Sequence, residues 1–338
     1  MEDYKLAELT PEEFEIFVSK QACDNFLQSR EMFNRYQTAH REAYLLGLRD
    51  AKDKLVLSAL VVKINSIKGQ KVFSTPGGPI LDYEKPDAIK LIETFSALAK
   101  PFLRKRHGFA LQISPNVVVR PGENSPKIPG AKYLGEYIQC KWISALDLSQ
   151  FSSPEELFKT FRKGHRYSIK YTDLRFHLET RELSREELPI LKSLAEKAAE
   201  KHSFHDQSLN YYEEMFDAFQ GHIKVLASFF EGKPVASAMF IYYGHEVVYL
   251  YSGADPAFNH VAGSYALQWK MLNFALEHGF KRYNFYGVRP EAGNGVFEFK
   301  NGFRATVEEL WGTYIFPLSP LGKLYVARKK YHKYGELA

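Results

Sequence analysis

The residues with the strongest claim on chemistry are Phe297-Glu298-Phe299-Lys300-Asn301-Gly302-Phe303, which follow closely on Asn284-Phe285-Tyr286-Gly287. A lysine held between aromatic rings near the end of a sheet can stabilise negative charge as it develops in acyl transfer, because a cation in a dry site acts more strongly than in water. The same stretch also reads as an amphipathic strand whose lysine snorkels along apolar surface. Three basic clusters border aromatic residues: Arg104-Lys105-Arg106, Arg162 to Lys170, and Arg328-Lys329-Lys330-Tyr331-His332-Lys333. That composition suits phosphates plus stacking, or else solvated helix faces.

Other chemistries find less support. Cys23 and Cys140 form neither a disulfide framework nor, with any histidine, a zinc spacing, so no metal is expected. No Gly-x-Ser-x-Gly elbow occurs. An acyl-CoA pyrophosphate needs a glycine-rich turn opening a helix. The equivalent place, Asn259 to Ser264, has one glycine, and Tyr83 to Asp87 suits it still less. No cofactor is therefore expected. A net charge of +5 permits a polyanionic partner without demanding one. The acidic start Met1-Glu2-Asp3 and the short aliphatic run Leu55 to Val62 suggest neither a leader nor a membrane span. A reduced, cytoplasmic protein is the expectation.

The elements that must position these residues come in two similar sets. Lys54-Leu55-Val56-Leu57-Ser58-Ala59 matches Lys233-Pro234-Val235-Ala236-Ser237-Ala238, each after a turn signal. A second strand follows in both, around Val72-Phe73-Ser74 and Tyr249-Leu250-Tyr251. Helical patterns come next, Pro86 to Arg106 and Gly263 to Glu277, and both end at His-Gly-Phe, with glycine read as the C-cap. Helix starts are expected at Thr10-Pro11-Glu12-Glu13, Ser153-Pro154-Glu155-Glu156 and Ser184-Arg185-Glu186-Glu187. Order and near-constant offset point to an internal duplication of an α+β unit of the GNAT acyltransferase type, built on mixed sheets. The junction is expected near Asp147, giving one domain of 1–146 with 315–338 and another of 147–314.

Phe26-Leu27-Gln28-Ser29, Gly78-Pro79-Ile80-Leu81-Asp82-Tyr83, Leu250-Tyr251-Ser252-Gly253, Ala266-Leu267-Gln268-Trp269, Tyr283 to Gly287 and Phe299 to Phe303 come in an order and spacing that resembles the Fem family of peptidoglycan-bridge aminoacyltransferases. The resemblance implies two GNAT-like domains facing a shared cleft, the first for the precursor and the second for the aminoacyl-tRNA end. It implies transfer of Gly, Ala or Ser from aminoacyl-tRNA, as co-substrate, to a stem-peptide amine of a muropeptide precursor, either lipid II or UDP-MurNAc-pentapeptide. Lys300, with Phe299 beside it, would then stabilise the tetrahedral oxyanion, and Tyr211 and Tyr251 would line the precursor groove. Peripheral contact with the inner membrane face is a further implication.

Several positions depart from the family pattern. Members that accept the UDP-linked precursor place basic residues where this chain has Asn34 and Gln207, with Arg35 adjacent as a substitute, which favours lipid II. Gly77, Ser114 and Asn284 stand where Arg, Asp and Asp are usual. No charged, heptad-like helical arm is found from Phe151 to Phe219 or beyond. The departures keep open a non-catalytic, immunity-type binder, and the fold type alone keeps open an acyl-CoA-dependent N-acyltransferase.

Overall fold

In the computed structural model, which describes residues 3–136, 139–202 and 206–330, the chain forms two compact units. The first runs to Lys141 and resumes at Glu309; the second is Trp142–Glu308.

The first unit holds β1 (Tyr4–Glu8), β2 (Ala43–Asp50), β3 (Leu55–Ile67), β4 (Gln70–Gly77), β5 (Ile80–Leu81), β6 (Gly108–Pro115), β7 (Lys132–Gly135) and the late strand β15 (Thr313–Pro317). Its sheet runs β1-β2-β3-β4-β6-β15-β7, with β5 added on β3. Strands β4 and β6 are parallel, so a crossover must join them, and α3 (Ala88–Lys105) supplies it. Helices α1 (Pro11–Val18) and α2 (Arg30–Thr38) precede β2, and α10 (Pro320–Arg328) follows β15. Thr10 and Glu13 close a capping box at the start of α1.

The second unit holds β8 (Trp142–Asp147), β9 (Glu179–Glu182), β10 (Ile223–Phe230), β11 (Lys233–Tyr243), β12 (Glu246–Ala254), β13 (Arg282–Gly287) and β14 (Thr306–Glu309). They are ordered β14-β8-β13-β12-β11-β10-β9. Its helices are α4 (Pro154–Thr160), α5 (Lys163–Leu174), α6 (Leu188–His202), α7 (Leu209–Ala218), α8 (Gly263–Glu277) and α9 (Gly295–Gly302). Here β12 and β13 are the parallel pair and α8 the crossover. The run β2-β3-β4-β6 thus repeats as β10-β11-β12-β13, an α+β architecture used twice. Each unit buries its own core: Phe73, Ile92, Phe95 and Leu111 in the first, Phe161, Phe240, Tyr283 and Phe303 in the second.

Two expectations need correction. The division falls at Lys141/Trp142, ahead of Asp147, because β8 pairs antiparallel with β13 through Leu146 opposite Tyr283 and so belongs to the second sheet. The chain likewise returns to the first unit before residue 315. Leu310 N–H donates to Lys141 O at 2.7 Å and Trp311 N–H to Val117 O at 2.9 Å. The two His-Gly-Phe ends also differ. Gly279 is left-handed (φ 74°) as a C-cap should be, but in the first copy His107 takes that conformation (φ 65°). Gly108 is glycine because a Cβ there would stand 2.8 Å from Leu103 O.

The early motif has a structural task. Buried Gln28 donates to Pro76 O at 2.7 Å and to Leu60 O at 3.3 Å, and accepts from Leu60 N–H at 2.8 Å, tying β3 to β4. Ser29 caps α2. No helix of the described residues is long and apolar enough to cross a membrane.

Candidate active site

Residues 295–302 are helix α9, capped by Asn294 Oδ1 accepting from Phe297 N–H at 3.0 Å, so the strand reading of this stretch is set aside. Lys300 is 5% exposed. A buried ammonium is costly unless oxygen atoms replace its water. Lys300 Nζ donates to Gly287 O and, at 3.4 Å, to Tyr286 O. These carbonyls face it because β13 is irregular there: register with β8 shifts between Asn284 and Gly287, and Tyr286 is left-handed (φ 62°). Asn284 secures the bend. Its Oδ1 accepts from Tyr286 N–H at 2.8 Å, and its Nδ2 donates to Glu246 Oε2 at 3.2 Å. An aspartate in its place would bring a second carboxylate against Glu246.

Helix α5 holds α9 from the other side. His165 Nε2 lies 2.8 Å from Phe299 O; a carbonyl only accepts, so Nε2 carries the proton. The imidazole sits among Tyr265, Phe299 and Phe303, with ring centroids at 5.0, 6.1 and 4.8 Å. Burial lowers its pKa, the bond to Phe299 O opposes this, and the nearby Arg162 charge lowers it further. Arg162 N–H donates to Gly302 O at 2.9 Å and its guanidinium to Glu298 Oε2 at 2.9 Å. Gly302 must be glycine, since a Cβ would fall 1.8 Å from the His165 ring.

Tyr211 on α7 and Tyr251 on β12 meet hydroxyl to hydroxyl at 3.0 Å, with rings edge to face at 5.7 Å. Burial raises the Tyr251 pKa well above the usual phenol range, and Tyr211, Tyr286 and Tyr212 add to the rise. Tyr286 thus links this tyrosine cluster to the carbonyls that hold Lys300. Behind the cluster, Tyr212 O–H donates to Asp206 Oδ1 at 2.5 Å and Lys192 Nζ to Asp206 Oδ2 at 2.7 Å. Gln207, half-buried, follows Asp206 directly. Gly253 lets α6 lie on β12: a Cβ there would stand 2.2 Å from the Leu194 backbone. Tyr283 donates to Gln268 Oε1 at 2.7 Å, which accounts for another pair of motif residues.

The structure therefore brings Lys300, Phe299, Tyr211, Tyr251 and Gln207 into the second unit, and Arg35 into the first. Arg35 is 4% exposed on α2, with Nη1 3.9 Å from Met32 Sδ and its guanidinium carbon 5.7 Å from the Tyr36 ring centroid. Its guanidinium is buried against α2. Ser114 shares a hydrogen bond of 2.9 Å with Thr313. Gly77 is left-handed (φ 71°), and a Cβ there would meet Asn25 Oδ1 at 2.3 Å, so the usual arginine does not fit. In sequence, Asp206 and Lys192 carry no signal, and His165 stands only in the basic run Arg162 to Lys170, with nothing local to pair it with Phe299. Among the described residues no group of three His, Cys, Asp or Glu could hold a metal.

Two successive GNAT-like units define a tandem acyltransferase fold. A tandem GNAT protein from the clavulanic acid biosynthesis pathway superposes with a TM-score of 0.59 at 11% identity, over 94% of this chain and 99% of that one. The crystal structure of FemX matches with a TM-score of 0.80 at 16% identity, over 95% of this chain and all of that one. The FemAB family model matches residues 9–132, 130–229 and 228–331, and the chain belongs to the FemAB family. It is 24% identical to aminoacyltransferase FemA of Staphylococcus epidermidis over 97% of this chain and 100% of that protein. It is 26% identical to aminoacyltransferase FemA of Staphylococcus aureus (strain MRSA252) over 96% and 98%. Those alignments run to 423 and 421 positions, more than the 338 residues here, so both relatives carry segments this chain lacks.

Proposed function

We propose that this Fem-family aminoacyltransferase of peptidoglycan bridge synthesis takes Gly, Ala or Ser from aminoacyl-tRNA and joins it to the stem-peptide amine of a muropeptide precursor. The amine nitrogen attacks the ester carbonyl carbon, a C–N bond forms, and negative charge gathers on the carbonyl oxygen. The C–O bond to the ribose then breaks, and the proton lost by the amine passes to the ribose oxygen, directly or through water. The observation that carries the reading is Lys300, a buried cation held in place by the carbonyls of the β13 bend. A cation already desolvated and oriented stabilises the oxyanion without reorganising when the charge appears. Tyr211, Tyr251 and Gln207 would line the acceptor side. The second unit, which carries Lys300 and both tyrosines, would take the tRNA end and the acceptor amine. Arg35 is packed in α2 and Gln207 is neutral, which supports lipid II over the UDP-linked precursor and, with it, work at the inner membrane face.

The test supplies tRNA charged separately with labelled Gly, Ala or Ser, and either lipid II or UDP-MurNAc-pentapeptide. Label is expected in lipid II from one charged tRNA, and Lys300→Met should lower the rate by about 10²- to 10³-fold. No transfer from competent substrates would overturn the proposal. Precursor binding without turnover would then indicate a non-catalytic binder, and saturable acetyl-CoA binding an acyl-CoA enzyme.

A further inference from the structure

Of the three basic clusters, one differs from the others in what its side chains do. Arg106, in the first, lies 3.5 Å from the Phe102 ring centroid, donates to Phe102 O at 3.2 Å and pairs with Glu8 at 3.9 Å, so its head group is engaged within the fold. In the last, Tyr331 to Lys333 lie outside the described residues, and Lys329 sits 4.7 Å from the Tyr325 ring centroid. The middle cluster forms α5, and α5 has two distinct sides.

One side, Arg162 and His165, grips α9 through Glu298, Phe299 O and Gly302 O. The other is open: Lys163, Lys170 and Arg175 are exposed, and Tyr167 is 57% exposed. Tyr167 and Tyr171, one turn apart, pack in a tilted arrangement, with centroids 4.1 Å apart and planes at 32°. Arg175 continues the stripe, 5.4 Å from the Tyr171 ring centroid. Between residues 163 and 175 the sequence has four Lys or Arg against one Asp. The twelve residues of α5 extend for about 18 Å, with aromatic faces between cations.

We infer that Lys163, Tyr167, Lys170, Tyr171 and Arg175 form the docking surface for the single-stranded 3′ end and adjoining acceptor stem of the donor tRNA. Cations spaced along a helix meet successive phosphates, and an exposed ring offers a stacking face to any base. The helix that carries the stripe also clamps α9 through Arg162 and His165, so an RNA held on α5 lies one helix diameter, roughly 10 Å, from the helix that carries Lys300. The surface reads backbone and stacking, not sequence, which suits an end common to all tRNAs. This inference rests on the aminoacyl-tRNA reading above.

The experiment measures tRNA binding and aminoacyl transfer separately on the full chain. The variant Lys163→Glu/Tyr167→Ala/Lys170→Glu changes exposed side chains and leaves Arg162 and His165 in place; its thermal midpoint checks folding. We expect tRNA affinity to fall about tenfold or more. The dependence of binding on salt should flatten by roughly 1.5 in log–log slope, for two phosphates lost. The KM for charged tRNA should rise in step while the KM for the precursor holds. Wild-type tRNA affinity in the folded variant would overturn the docking surface even if transfer is real. If wild type binds tRNA through these residues but transfers nothing, the docking surface stands and the transfer reading fails. Loss of binding to phosphatidylglycerol vesicles with tRNA binding intact would overturn the inference and assign the stripe to a membrane surface.

Discussion

Lys300 and His165 are both buried ionisable groups, and their surroundings resolve that cost differently. Lys300 has carbonyl oxygens turned toward it by a bend in the strand, so its charge is solvated by backbone. His165 sits among aromatic rings near a positive Arg162, so its neutral form is favoured. The consequence for pH follows from the sign of the shift. With its folded pKa below the ordinary 6.5, His165 contributes stability that is complete above that value and is lost as pH falls through the lowered one. The thermal midpoint should therefore fall as pH drops below 6.5, and fall less in His165→Gln, whose amide can still donate to Phe299 O. Identical pH slopes in the two proteins would show that His165 does not titrate in this window.

At the level of elements, the candidate site depends on close approaches that only small residues allow. Helix α6 rests on β12 at Gly253, and α6 supplies Lys192 to Asp206, which in turn holds Tyr212 beside Tyr251. Gly253→Ala would push the α6 backbone away by the width of a methyl group. Overpacking of this kind costs about 1–3 kcal/mol. A lower denaturant midpoint with an unchanged slope is expected, together with a raised KM for the precursor as the tyrosine cluster loosens. An unaltered midpoint would mean that α6 can shift without strain.

For the whole molecule, the two sheets are completed by segments distant from their own repeats. β8 pairs with β13 in the second sheet, and β15 lies between β6 and β7 in the first. Because β15 is an interior strand, its loss would leave β6 with a row of unmet backbone donors and acceptors in a buried layer. A chain ending after Trp311 should therefore give aggregated protein, whereas the full chain should be soluble and fold. Soluble yield and far-UV circular dichroism of both would decide it; equal behaviour would show that the first sheet forms without β15.

Much of the fold was legible because its causes are local. Thr10, Ser153 and Ser184 announce helix starts through side-chain caps three residues away, and the repeated strand, strand, helix, strand order survives in pattern even where residues differ. The motif residues Gln28, Gly253, Gln268 and Gly302 were visible as types, without their reasons. Tertiary structure alone decided the rest. The strand at Trp142–Asp147 looks the same in sequence whichever sheet it joins, and its hydrogen bonds to β13 settle its unit. The packing of Arg35 in α2, the bond from His165 to Phe299 O, and the carbonyls turned to Lys300 likewise have no local signature. Local backbone chemistry thus determined the elements and the duplication. Long-range packing, which no short window contains, decided which side chains come together and set Lys300 against the backbone carbonyls of β13.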